Sequence, residues 1–123
     1  MFVGIRDTEL KKLYGLSGNV CAFPDCHMPL VSDNGIEPIV VLGEAAHIVA
    51  ESSAGPRGTS TLTLVERNKA ENLLLLCSRH HQLIDAQPAR YPVQLLQQMK
   101  ADHEAWVHSE LGATLLIAEP PQI

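Results

Sequence analysis

Two short ligand pairs constrain this chain more than any other feature. Cys21 and Cys26 bracket the turn CAFPDC, and Cys77 and His80 stand two residues apart in CSRH. Three thiolates and an imidazole at knuckle spacing make up a tetrahedral zinc set. An odd number of cysteines drawn into one group argues against a disulfide framework. The alternative is three buried cysteines that fill the core as small apolar residues. With 123 residues, 46% of them hydrophobic, the chain can build one core, but only Phe2, Tyr14, Phe23, Tyr91 and Trp106 are aromatic. A structural zinc, worth on the order of 10 kcal/mol of folding free energy, suits such a small aliphatic core.

Periodicity and turn chemistry predict the elements. Asp7 can cap a helix over TELKKLYGL, where Leu10, Leu13 and Tyr14 recur at helical spacing and Gly15 or Gly18 provides the exit. Ser32–Gly35 reads as a turn, PIVVL (38–42) as a strand, and EAAHIVA (44–50) as its continuation or the next strand. Residues 51–61, ESSAGPRGTST, have no apolar period and read as an exposed loop. TLVERNKAEN holds one helical turn, Leu73–Leu76 forms a buried strand, and SRHHQLIDA forms a short helix that Pro88 ends. In PVQLLQQMKADHEAWVHSEL, Leu96, Met99, His103 and Trp106 line one face, so this last helix packs on the domain. The expected organisation is one α+β domain over residues 1–112, with a tail or the start of a linker at 113–123.

Several other residues have the chemistry of a site. His47 lies in GEAAHIVA on an expected strand; taken alone, it reads as a hydrogen-bonded core histidine. Asn72 alone reads as a turn or cap residue. His81 and Asp85 are four positions apart, so on a helix they share a face and can hold one divalent cation through a nitrogen and an oxygen; a solvated i, i+4 pair has the same spacing. Adjacent helical side chains point about 100° apart, so His80 and His81 cannot serve the same ion. Spacing from Cys77 assigns His80 to zinc, and spacing to Asp85 assigns His81 to the second cation. Arg57 in AGPRG, with Arg67 and Lys69 in ERNK, are candidate phosphate contacts or else solvated loop charges.

Taken together these residues are more specific. Cys-x4-Cys, His47 on a strand, Asn72 before a second strand, and Cys77-x2-His80 followed at once by His81 resemble the zinc-bearing branch of the HNH endonucleases, the ββα-metal nucleases. GEAAHI, ENLLLLC and HHQLID carry the resemblance; with CAFPDC and AGPRG it covers about residues 5–107. It implies a small α+β fold of the ββα-metal (His-Me finger) type with a zinc knuckle and flanking helices. The implied activity is hydrolysis of DNA phosphodiester bonds, with little sequence specificity because no recognition helix or basic stripe is present to read bases. By this resemblance His47 is the general base that deprotonates a water, a role open to an imidazole because it can be neutral near physiological pH. Asn72 orients the loop or the ring of His47, and His81 with Asp85 holds Mg²⁺ or Mn²⁺ against the scissile phosphate.

One position departs from the family. Many members carry Asp or His directly before the base histidine as a metal ligand, and here that residue is Ala46, which leaves Asp85 or, through water, Glu44 to compensate. The pattern is also similar to HNH modules joined to sensor domains, SAVED among them, in bacterial anti-phage defence. On that resemblance AEPPQI is the expected start of a linker to a C-terminal sensor domain. The same motifs allow an alternative, a non-catalytic zinc-knuckle module that binds DNA or protein through a degenerate site.

A formal net charge of -5 at first opposes a polyanionic partner, yet residues 57–100 hold six basic side chains against three acidic ones. The expectation is therefore weak, salt-sensitive binding of double-stranded DNA, with several copies acting together as a homo-oligomer. No apolar run approaches the roughly 18 residues of a membrane span, and the N-terminus lacks a signal peptide's apolar stretch and cleavage site. A cytoplasmic protein with no membrane partner is expected.

Overall fold

The computed structural model of the chain describes residues 4–118. Helix α1 (Asp7–Ser17) is followed by strands β1 (Val31–Ser32), β2 (Val40–Val41) and β3 (Glu44–His47). Helix α2 (Leu64–Arg67), a 3₁₀ turn (Ala70–Asn72), strand β4 (Leu73–Leu76) and helices α3 (Ser78–Ala86) and α4 (Val93–Ala118) complete the order. β3 and β4 pair antiparallel, with Glu44 opposite Leu76 and His47 opposite Leu73. The expected α+β fold of the ββα-metal type is thus realised as β3, β4 and α3, with α3 laid against both strands.

The core is organised by β4. All four of its leucines are buried, and α1 and α3 both pack against it. A strand covered on both faces requires a continuous apolar run rather than alternation, which is why LLLL reads as a strand. On β3, Glu44 and Ala46 share a face because side chains repeat every two residues. Ala46 is fully buried, whereas Glu44, one step nearer the strand's beginning, is exposed.

The termini of the helices differ in detail from expectation. Asp7 is not the cap of α1: Arg6 holds that position without a side-chain bond, and Asp7 opens the first turn, where a carboxylate complements the helix dipole. α1 ends at Gly18 in the left-handed conformation (φ 62°), and a Cβ there would lie 3.1 Å from Val107 Cγ1, so glycine is needed for both backbone and space. The helical turn expected in TLVERNKAEN is α2. Its entry is a capping box in which Thr63 Oγ1 accepts from Glu66 N (3.2 Å) and Glu66 Oε1 accepts from Thr63 N (2.8 Å).

Two other readings are corrected. PIVVL forms only the two-residue β2, which pairs with β1, whose Ser32 opens the segment read as a turn. Both valines of β2 are exposed because no core layer reaches this ribbon. On α4 the buried stripe is Leu96, Met99, His103 and Val107, and Trp106 is 38% exposed, stacked on His27. A spacing of eleven returns closer to the face of Leu96 than a spacing of ten. α4 also runs through the boundary expected at 112 as far as Ala118, and residues 119–123 of the expected tail lie outside the described residues. No helix of the described residues is long and apolar enough to cross a membrane.

Candidate active site and metal centre

The turn after α1 and the junction of β4 with α3 bring Cys21, Cys26, Cys77 and His80 together, their ligand atoms all within 4.8 Å of one another. His80 Nδ1 lies 3.6 Å from Cys21 Sγ and 3.3 Å from Cys77 Sγ. Tetrahedral zinc with bonds of about 2.3 Å to sulfur and 2.0 Å to nitrogen separates such atoms by about 3.5 Å, so the four residues fit a zinc ion. The backbone shapes the cradle: Asp25 and His27 take positive φ, and Cys77 N donates to Cys21 Sγ at 3.3 Å. The ring of Phe23 stacks on His80 with centroids 4.0 Å apart. Burial pushes the Cys21 thiol up to about 12 and holds His80 below the usual histidine range, with Arg79 adding to the effect. A metal ion takes a thiolate and a neutral imidazole. The surroundings already favour the neutral imidazole, and the cation itself would have to supply the thiolate.

His47 closes β3, half-buried, and its Nε2 lies 2.7 Å from Asn68 Oδ1. An amide oxygen only accepts, so Nε2 is the donor in this contact and Nδ1 is the ring nitrogen turned away from Asn68. Asn72 does not touch the ring. Its Oδ1 accepts from Val49 N (3.0 Å), and its Nδ2 donates to Val49 O and Arg67 O (both 2.8 Å). It therefore holds the chain just past His47, which is the loop rather than the ring of the two roles that the resemblance offered. Asn68 escaped the sequence reading. Its place in ERNKAEN, four residues before Asn72, suggests only a turn residue, and it meets His47 across 21 positions.

Two expected phosphate contacts are corrected. Arg67 is buried, and its guanidinium donates to the carbonyls of Leu62 (3.0 Å), Ala50 (2.8 Å), Gly58 (2.9 Å) and Ser60 (3.0 Å). Arg57 donates to the carbonyls of Ile48 (2.7 Å), Ile84 (2.8 Å) and His47 (3.3 Å) and to Asp85 Oδ1 (2.7 Å), with a side chain only 4% exposed. Both cations are consumed: Arg67 satisfies carbonyls of its own loop, and Arg57 ties that loop to the end of β3 and to α3. Arg57 does so from a left-handed backbone (φ 55°), a conformation that costs an L-residue about 1–2 kcal/mol. The loop is held this way because Gly58 is sealed against it: a Cβ there would lie 2.5 Å from Ser52 O. Of the three candidates, Lys69 alone is exposed.

His81, in the first turn of α3, points away from the knuckle into an open recess lined by Glu44, Ser78, His81, Gln82 and Asp85. Its Nε2 lies 3.2 Å from Asp85 Oδ2, as the spacing of four predicts, and its Nδ1 lies 2.8 Å from Glu44 Oε1. A ring nitrogen beside carboxylates can coordinate a divalent cation, and the carboxylates are the hard oxygen donors that Mg²⁺ or Mn²⁺ favours. The ring of His47 does not line this recess. The two are linked through Arg57, whose Nη2 donates both to His47 O and to Asp85.

Residues 20–87, more than half of the chain, match the family described as HNH endonuclease. This segment contains the knuckle, β3, β4 and α3 with all of the residues above. No curated protein matches the chain.

Proposed function

Given that the chain belongs to the HNH endonuclease family, we propose that it is a metal-dependent endonuclease that hydrolyses DNA phosphodiester bonds with His47 as general base. The observation that carries this reading is the ββα unit, which sets His47 at the end of β3 and His81 at the start of α3, with α3 packed on both strands. The hydrogen bond from Nε2 to Asn68 leaves Nδ1 as the nitrogen that takes a proton from the attacking water. Asn72 fixes the backbone beyond His47 and so limits the ring's swing. His81, flanked by Glu44 and Asp85, would hold the divalent cation. When bound, such an ion neutralises charge on the phosphate and on the leaving oxygen. Lys69 and Arg79 are exposed basic side chains on offer to flanking phosphates.

The proposed setting is the bacterial cytoplasm, with the domain acting as an effector in anti-phage defence. The sequence resemblance to modules joined to sensor domains supports this, and so does the low positive charge, which favours several copies on one DNA. The test is cleavage of plasmid DNA with Mg²⁺ or Mn²⁺ by the unmutated chain and by His47→Ala, each shown to be folded by circular dichroism. General-base removal should slow cleavage by about 10²–10⁴-fold. Undiminished cutting by His47→Ala would remove the base assignment, and cutting of RNA alone would remove the substrate assignment.

A further inference from the structure

We propose that Glu44 is the second protein ligand of the catalytic cation, acting with Nδ1 of His81, and that Asp85 positions the opposite edge of that ring without binding the ion. This inference rests on reading the chain as a metal-dependent nuclease. His81 is flanked by two carboxylates, Glu44 Oε1 at 2.8 Å from Nδ1 and Asp85 Oδ2 at 3.2 Å from Nε2. The two nitrogens of an imidazole direct their lone pairs apart, so a single ion cannot sit at both contacts. One carboxylate belongs to the metal, and the other holds the remaining N–H.

The surroundings separate the two. Asp85 is already committed: its Oδ1 accepts from Arg57 Nη2 at 2.7 Å, and that guanidinium is 4% exposed and anchored on backbone carbonyls. A carboxylate neutralised by a buried cation is a weak ligand but a good acceptor for the distal N–H of a metal-bound histidine, the arrangement that fixes ring tautomer and direction. Glu44 is 47% exposed on the recess wall, and no Lys or Arg of the described residues pairs with it. Its negative charge is available to a cation.

Distance and strand geometry agree. Neighbouring corners of an octahedron with metal–ligand bonds of about 2.1 Å are about 3.0 Å apart, and Glu44 Oε1 and His81 Nδ1 stand at 2.8 Å. Ala46 has no donor to offer and is fully buried. Glu44 lies two residues earlier on the same face of β3, so its longer side chain reaches α3 from the side Ala46 faces. Binding the ion at Nδ1 requires the ring proton on Nε2, which lies 3.2 Å from Asp85 Oδ2.

The experiment uses the zinc-loaded chain and titrates Mn²⁺ by electron paramagnetic resonance for the unmutated protein, Glu44→Gln and Asp85→Asn. Zinc content and circular dichroism verify each fold. Glu44→Gln should weaken Mn²⁺ binding about 100-fold and Asp85→Asn about 10-fold. Asp85→Asn leaves Arg57 without its partner and can loosen the fold, so a second measurement uses the unmutated chain. In ¹H–¹⁵N correlation spectra of the His81 ring, Mg²⁺ should shift Nδ1 while Nε2 stays protonated. A larger loss in Asp85→Asn than in Glu44→Gln, or a Mg²⁺ shift at Nε2, would overturn the assignment and leave the nuclease reading standing. Absence of any Mn²⁺ binding outside the knuckle would overturn both.

Discussion

Two adjacent histidines on α3 face different surroundings. His80 turns inward to three cysteines, sealed beneath Phe23, where the donors face one another and leave no room for substrate. His81 turns outward to oxygen donors in an open recess. Closed four-ligand sites are structural and sites with open positions are catalytic, so on the proposed function a rotation of about 100° between neighbours separates folding from chemistry. Ligand type alone does not assign a histidine; exposure and the atoms on its second nitrogen do.

The largest effect should come from stripping the knuckle. A strong chelator removes on the order of 10 kcal/mol, comparable to the whole stability of a small domain, so far-ultraviolet circular dichroism should collapse and the recess with it. His81→Ala, one residue away, should cost less than about 1 kcal/mol while cleavage is lost. Unchanged melting after verified metal removal would erase the distinction between the two sites.

Arg67→Met leaves four carbonyls without their donor, and an unsatisfied buried acceptor costs about 1–3 kcal/mol. Urea denaturation should therefore show a loss of about 3 kcal/mol, with the losses only partly additive. Lys69→Ala should leave stability unchanged and lower the salt slope of DNA binding by about 1. If Arg67→Met instead changed the salt slope and not the stability, the buried role of that guanidinium would be refuted.

A smaller effect concerns protons behind the knuckle. His103 donates from Nε2 to Ser17 O at 2.9 Å, and its Nδ1 is buried with no partner among the described residues. Burial holds this imidazole below the usual histidine range; His27 and Lys100 act in the same direction, and Ser17 O and Glu104 oppose them. A depressed histidine means that the unfolded chain takes up the proton first. Its stabilising share is thus present above the unfolded value of about 6.5 and fades as pH falls through it toward the folded value. Melting temperature followed downward from neutral pH should fall less steeply in His103→Gln than in the unmutated chain, and equal slopes would exclude His103 as a source of acid sensitivity.

Much of the fold was legible from the chain alone, and for local reasons. LLLL between Asn72 and Cys77 can only be a strand buried on both faces, and SRHHQLIDA between a cysteine and a proline has the length and period of α3. Gly18 is one of two glycines where α1 could leave the helix. The four knuckle residues were legible because metal geometry leaves few admissible spacings. The exposure of the ribbon at Val40–Val41 was not legible, because apolar content says what a segment can bury and not whether anything will cover it.

The site was legible in part. Spacing along one helix split His80 from His81 and joined His81 to Asp85, since both relations depend on angles internal to α3. Nothing local shows that Arg57 and Arg67 face inward, because an arginine in a glycine-rich loop looks solvated until the loop folds over it. Nor does anything local join Asn68 to His47 or Glu44 to His81, pairs that meet across 21 and 37 positions. Helical periods, turn residues and ligand spacings are written in neighbouring residues, and so the chain itself specifies the ββα unit and its knuckle. Which carbonyls need a donor, and which carboxylate ends beside which nitrogen, depends on how distant segments meet, and that was settled only when the chain folded in three dimensions.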